Sequence, residues 1–175
     1  MDVSVRPADE HDCAAVAAIY ASSVETTAAS FELVAPDAVE MSRRWLKVVE
    51  AGCPFLVAQA PDGVIVGYAY ARPFHERAAF AWTVEDAIYV APGSERRGVG
   101  RVLLGALVDA AARAGFRQMI ALISSGAGPA SERLHAGLGF ARVGRITAVG
   151  FKNGEWHDIV YMQRELGAGA TTCPE

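Results

Sequence analysis

Ala87-Ile-Tyr-Val-Ala-Pro-Gly-Ser-Glu-Arg-Arg-Gly-Val-Gly-Arg-Val-Leu-Leu104 is the stretch whose reading decides the fold. Ile88, Tyr89 and Val90 are β-branched or aromatic residues in a short apolar run, which predicts a strand. Pro92 and Gly93 end it with turn chemistry. A helical period follows, with Val99, Leu103, Leu107 and Ala110 on one stripe. A strand, a turn and a helix start make an anion cradle, because the first-turn N–H groups lack acceptors and the helix dipole is positive there. Gly98 and Gly100 carry no Cβ and open the backbone to close approach by a phosphate. Arg96, Arg97 and Arg101 add charge-assisted donors. The residues alone leave two readings open: a phosphate site, or a glycine-rich helix start with no ligand.

Working outward, the 175 residues suffice for one domain with a substantial core. A net charge of -4 lacks the basic face of a nucleic-acid binder, so the arginines of the central turn read as a local site. Cys13, Cys53 and Cys173 are odd in number and show no metal-ligand spacing, which predicts a reduced, cytoplasmic protein without a metal. The acidic, polar N-terminus is unlike a signal peptide, and no apolar run approaches the roughly 18 residues that span a bilayer. A small-molecule partner is expected, with no nucleic acid and no membrane.

The other elements read in order. Val3 to Arg6 alternates as a strand, and Asp9 to Ser22 is a helix with Asp9 as N-cap. Glu25 to Leu33 is an irregular segment. Pro36 and Asp37 open a helix to about Glu50, along which Val39, Trp45, Leu46 and Val49 are expected to form a buried stripe. Phe55–Ala60 and Val64–Ala71 are strands joined by Pro61-Asp62-Gly63. Arg72 to Ala79 is a polar loop, and Phe80 to Val90 a strand too long to be regular throughout. The helix from Gly98 ends near Arg113, and Phe116–Ile123 is a strand. Pro129 starts a short helix to about Gly137. Phe140–Phe151 and Trp156–Glu165 pair around Asn153-Gly154. Residues 1–167 form one mixed α/β domain, with 168–175 a flexible tail.

Familiar phosphate loops do not fit: Val99 stands where a Walker lysine is needed, and Leu103 breaks the dinucleotide fingerprint. Arg96-Arg-Gly-Val-Gly-Arg101 after a strand, and Leu134-His-Ala-Gly-Leu-Gly-Phe140 after a short helix, resemble the two acetyl-CoA motifs of GNAT-type N-acetyltransferases. Thr26-Thr-Ala-Ala-Ser-Phe31, Gly67-Tyr-Ala-Tyr70, Trp82-Thr-Val-Glu85, Arg117-Gln-Met-Ile120, Arg133-Leu-His135 and Gly150-Phe-Lys-Asn-Gly-Glu-Trp-His-Asp158 follow in the expected order. They are similar to the phosphinothricin and methionine sulfoximine acetyltransferases, from about Val3 to Leu166. Two positions depart from the pattern: Glu95 replaces a Gln or Arg, and Gly128 replaces an Asn near the later helix.

The resemblance implies a GNAT fold in which the fourth and fifth strands splay, with a β-bulge as the usual device for it. Pantetheine of acetyl-CoA would pair with the backbone of Ile88, Tyr89 and Val90, and its pyrophosphate would sit on Arg96, Arg97, Gly98, Val99, Gly100 and Arg101. Glu85 and His135 are the candidate acid–base residues for attack of an amine on the thioester, with the Val90 N–H as a donor to the thioester carbonyl. Phe31, His75, Arg77 and Phe80 are the candidate substrate contacts, with Arg77 suited to a carboxylate or phosphinate. His75 and Phe80 stand where the phosphinothricin enzymes carry Lys or Arg and Tyr. Trp82 and Tyr89 are read as core. The resemblance also implies a homodimer. Another small amine, a peptide N-terminus, or a CoA-binding module without turnover are the alternatives.

Overall fold

The computed structural model describes residues 2–174. Seven strands form one sheet: β1 Ser4–Pro7, β2 Phe55–Gln59, β3 Ile65–Pro73, β4 Thr83–Val90, β5 Gln118–Ser124, β6 Ala141–Lys152 and β7 Glu155–Glu165, in the order β1-β2-β3-β4-β5-β7-β6. Only β4 and β5 run parallel, and the helix between them is the crossover that a parallel pair requires. Four helices cover the sheet: α1 Cys13–Thr26, α2 Ala38–Glu50, α3 Val99–Arg113 and α4 Pro129–Ala136. Tyr68 and Tyr70 of β3 face α1 and α2, whereas Gly67 and Ala69 alternate to the face that packs on α3.

Both short-turn signals form hairpins. Asn153 and Gly154 both have positive φ, 55° and 81°, as a tight two-residue turn matching strand twist requires. In α3, Leu103, Leu104 and Leu107 are fully buried, each contributing about 1.5–3 kcal/mol by leaving water. A single 3-10 turn over Glu10–Asp12, capped by Asp9, precedes α1, and the helix then runs past Ser22 to Thr26.

Three expectations need correction. In α2 the buried residues are Met41 and Val48 beside half-buried Trp45, while Val39, Leu46 and Val49 are exposed. The apolar residues form one broad face, of which the flank with Met41, Trp45 and Val48 meets the sheet and the flank with Val39, Leu46 and Val49 does not. The run Phe80–Val90 divides: Ala78–Phe80 is a 3-10 turn, Trp82 is 37% exposed, and β4 starts at Thr83. No register shift interrupts β4 against β3 or β5, so the splay needs no bulge. Pairing of β4 with β5 stops at Asp86↔Ala121, and Ala87–Val90 continue against β3 alone.

β3 also runs further than the sequence suggests, to Pro73, which places Arg72 on a strand directly opposite Glu85. Beyond Leu166 the chain turns, and Arg117 donates to the Gly169 carbonyl, Thr172 Oγ1 and the Cys173 carbonyl.

Candidate active site

The gap between β4 and β5 opens into a cavity of about 1420 Å³. Its walls bring together Phe31, Glu32, Arg72, Glu85, Tyr89 and His135 from four separate parts of the chain. Alternate backbone N–H and C=O groups of Ala87–Val90 point away from β3, into the gap, with no strand to receive them.

Glu85 is largely buried, and Arg72 Nη2 donates to its Oε1 at 2.6 Å across the β3–β4 pair. That bond fixes the carboxylate in the wall of the cavity. Arg72 was not among the residues singled out from the sequence. Its spacing from Glu85 becomes informative only once the register of the hairpin is known.

His135 is enclosed, with a side chain 2% exposed. Its Nδ1 donates to the Ser131 carbonyl at 2.8 Å, one helical turn back, and its Nε2 lies 3.0 Å from Asp86 Oδ2. Burial pulls the imidazole pKa down, but the Asp86 hydrogen bond and charge, with the Ser131 carbonyl, outweigh it and leave the pKa raised above 6.5. Both ring nitrogens are thus engaged within the protein. The second oxygen of Asp86, Oδ1, is buried and finds no donor among the described residues. Asp86 therefore brings an unsatisfied acceptor to the point where β4 and β5 part.

The strand, turn and helix start of the expected cradle form in outline. Gly98 caps α3 at φ 87°, a left-handed conformation that favours glycine, and nothing occupies the space where its Cβ would stand. Arg96 also has positive φ, 59°, an uncommon state for a side-chain-bearing residue and one that clusters at ligand-binding turns. Two details differ. A Cβ on Gly100 would stand 3.3 Å from Leu134 Cδ2, so this glycine also serves α3–α4 packing. Arg101 Nη1 donates to the Gly137 carbonyl at 3.2 Å, tying the start of α3 to the end of α4. Glu95 folds onto its own turn, where its carboxylate accepts from the Gly93 N–H at 2.7 Å. Gly128 precedes α4 at φ 68° and ψ −179°, a region essentially closed to other residues, which accounts for the missing Asn.

Among the expected substrate contacts, Phe31, His75 and Arg77 line the cavity. Phe31 lies flat on Gly150, where a Cβ would come within 2.3 Å of its ring. The Arg77 N–H donates to His75 Nδ1 at 3.1 Å, which sets the tautomer with the proton on Nε2. Phe80 is outside the lining: it packs at a tilt against His75 and Phe74, with ring centroids 4.9 and 5.9 Å away, and is 37% exposed. Tyr89 is no plain core residue, since its ring meets Tyr20 and Tyr68 and forms part of the cavity wall. Sequence reasoning missed a charged wall as well: Arg44 binds Glu32 through two nitrogens, at 2.7 and 3.2 Å, and Glu32 also accepts from the Tyr20 hydroxyl.

A strand segment open on its β5 edge and leading into an arginine-rich helix start suits a ligand with an amide-bearing arm and a phosphate end, and the buried Asp86 Oδ1 supplies a further acceptor. Together, fold and site define an acyl-CoA-dependent transferase. The acetyltransferase (GNAT) domain family matches residues 5–161. A phosphinothricin N-acetyltransferase of Alcaligenes faecalis is 46% identical over 98% of this chain and 87% of its own. An L-methionine sulfoximine/L-methionine sulfone acetyltransferase of Salmonella typhimurium is 38% identical over 94% of this chain and 95% of its own. The crystal structure of a phosphinothricin acetyltransferase from Sinorhizobium meliloti in complex with acetyl-CoA superposes with a TM-score of 0.96 at 41% identity, covering 100% of this chain and 94% of that one. The chain belongs to the GNAT acetyltransferase family. It is an N-acetyltransferase that uses acetyl-CoA as co-substrate.

Proposed function

We propose that this chain, one domain over residues 1–167 with a C-terminal tail, acetylates the α-amine of a small amino-acid analogue of the phosphinothricin, methionine sulfoximine or methionine sulfone kind. The observation that carries the reading is the Arg72–Glu85 pair, set one residue before β4 and β5 part and facing the cavity. Substrates named for the Alcaligenes and Salmonella relatives, phosphinothricin and methionine sulfoximine, supply the substrate class.

Acetyl-CoA supplies a thioester, whose thiol has a pKa of about 8.5 and leaves readily. The chain's task is to orient the amine and take its proton. An amino-acid α-amine arrives mostly as ammonium, since even a peptide α-amine titrates near 8. Glu85 accepts that proton, with Arg72 holding Oε1 so that Oε2 meets the nitrogen. Arg77 has no carboxylate within ion-pair distance among the described residues, and it receives the carboxylate or phosphinate with His75 beside it. Phe31 walls the side-chain pocket. His135 is spent on Asp86 and Ser131, so its role is to brace β4 against α4, and Glu85 alone meets the amine. Ile88, Tyr89 and Val90 hold the arm of the co-substrate, and the turn Arg96–Gly98 with the α3 N-terminus holds its phosphates.

Two coarser features complete the reading. Free Cys13, Cys53 and Cys173 accord with a reducing compartment, the cytoplasm, and no helix among the described residues is long and apolar enough to cross a membrane. Edge strand β6 exposes Val143, Ile146 and Val149, which supports a homodimer. Thiol release from acetyl-CoA across phosphinothricin, methionine sulfoximine, methionine sulfone and aminoacyl peptides tests the proposal. Turnover confined to the peptides, or to none, contradicts it.

A further inference from the structure

The wall formed by Ala29, Ser30, Phe31 and Glu32 lies between α1 and α2 and has no helix or strand hydrogen bonds to hold its shape. Two local bonds, from the Ala29 N–H to Thr27 Oγ1 and from the Glu32 N–H to Ser30 Oγ, shape it in part, and the rest is imposed from outside. The Tyr20 hydroxyl lies 2.7 Å from Ser30 Oγ, and Arg44 grips Glu32. The remaining hold comes from the far end of the chain. Lys152, the last residue of β6, is 4% exposed, and its Nζ donates to the Val24 and Ser30 carbonyls at 2.7 Å each. Val24 sits in the last turn of α1, where carbonyls lack intrahelical donors. One ammonium therefore joins the two ends of the segment that leads to Phe31.

Lys152 has no carboxylate within ion-pair distance among the described residues, so two carbonyl dipoles and a longer-range attraction from Glu32 compensate a buried cation, an expensive arrangement. A methionine would fill the same space without that cost. The hairpin fixes Lys152 in turn: His157 Nε2 donates to its carbonyl at 3.1 Å. Gly150, two residues earlier, forms the floor beneath the Phe31 ring. The β6–β7 hairpin thus presents both a clamp for the segment and a surface for its aromatic residue.

We propose that Lys152 is a positioning residue for the amine substrate, setting the height of the Ser30–Phe31–Glu32 wall and hence which side chains the pocket accepts. The proposal rests on the reading of this cavity as the amine site. It acts on the amine and not on acetyl-CoA, because the clamp lies on the α1–α2 side, away from the α3 turn.

Lys152→Met keeps the stem and removes the donors. It is expected to raise KM for the best amine of the panel about tenfold or more, as displaced positioning groups do, with KM for acetyl-CoA and its calorimetric Kd unchanged. Lys152→Arg, which retains donors, should recover part of the loss. Phe31→Ala is the companion, since it alters the wall directly. A rise in amine KM for Phe31→Ala but not for Lys152→Met overturns the proposal and spares the site. No rise for either overturns the site reading and the proposal with it. A Lys152→Met protein that loses acetyl-CoA binding and thermal stability together marks a purely structural lysine and also overturns it.

Discussion

Removing the Asp86 carboxylate tests how the enclosed His135 is used. Both side chains are 2% exposed and 3.0 Å apart, joining β4 at its point of departure from β5 to α4. Deleting one partner of a buried pair leaves the other charge uncompensated, a loss of about 3–5 kcal/mol. For a chain of this size that corresponds to a fall in Tm of roughly 6–20 °C in Asp86→Ala, at about 2–4 °C per kcal/mol. Asp86→Asn keeps an acceptor for Nε2 and should lose much less. The effect carries a pH signature. The folded pKa of His135 is raised above its unfolded value near 6.5, chiefly because the Asp86 hydrogen bond and charge outweigh desolvation. Its contribution is therefore complete below the unfolded pKa and is lost as pH rises through the folded one. Urea unfolding of wild type and Asp86→Ala at pH 6 and pH 9 reads both features. A difference under about 1 kcal/mol at pH 6, or one that grows towards pH 9, would refute the reasoning.

Other consequences follow from single contacts. Gly150→Ala places a methyl within 2.3 Å of the Phe31 ring, so the ring must leave the wall, and amine KM should rise while acetyl-CoA affinity stays as it was; steady-state kinetics with each substrate varied decides it. Arg6 holds Asp12 by two bonds, 2.7 and 2.8 Å, and lowers the carboxyl pKa below 3.8 despite burial. That stabilisation is present above the unfolded pKa and lost as pH falls through the folded one, so Asp12→Asn should flatten the acid limb of a stability profile recorded below about pH 4.

Much of the architecture was legible because its signals are local. Asn153-Gly154 and Pro61-Asp62-Gly63 set hairpins by turn chemistry, and the stripe through Val99, Leu103 and Leu107 set α3. The α2 stripe was misread because the apolar face of that helix is broad, and periodicity cannot tell which flank of it meets the sheet. The site was legible where a motif lies in one stretch, as at Gly98 and Arg96. It was opaque where partners are distant: Arg72 with Glu85 depends on strand register, Asp86 with His135 on the approach of α4 to β4, and Arg101 with Gly137 on the α3–α4 contact. Lys152 illustrates the limit, since its two acceptors lie 128 and 122 residues away.

The central claim is that Glu85, held by Arg72 at the parting of β4 and β5, takes the proton from the amine. The most direct measurement is kcat for Glu85→Gln beside the Kd for acetyl-CoA, with the best amine of the panel as acceptor. The account predicts a fall in kcat of about 10²-fold or more with the Kd unchanged. Turnover near that of the wild type would contradict it.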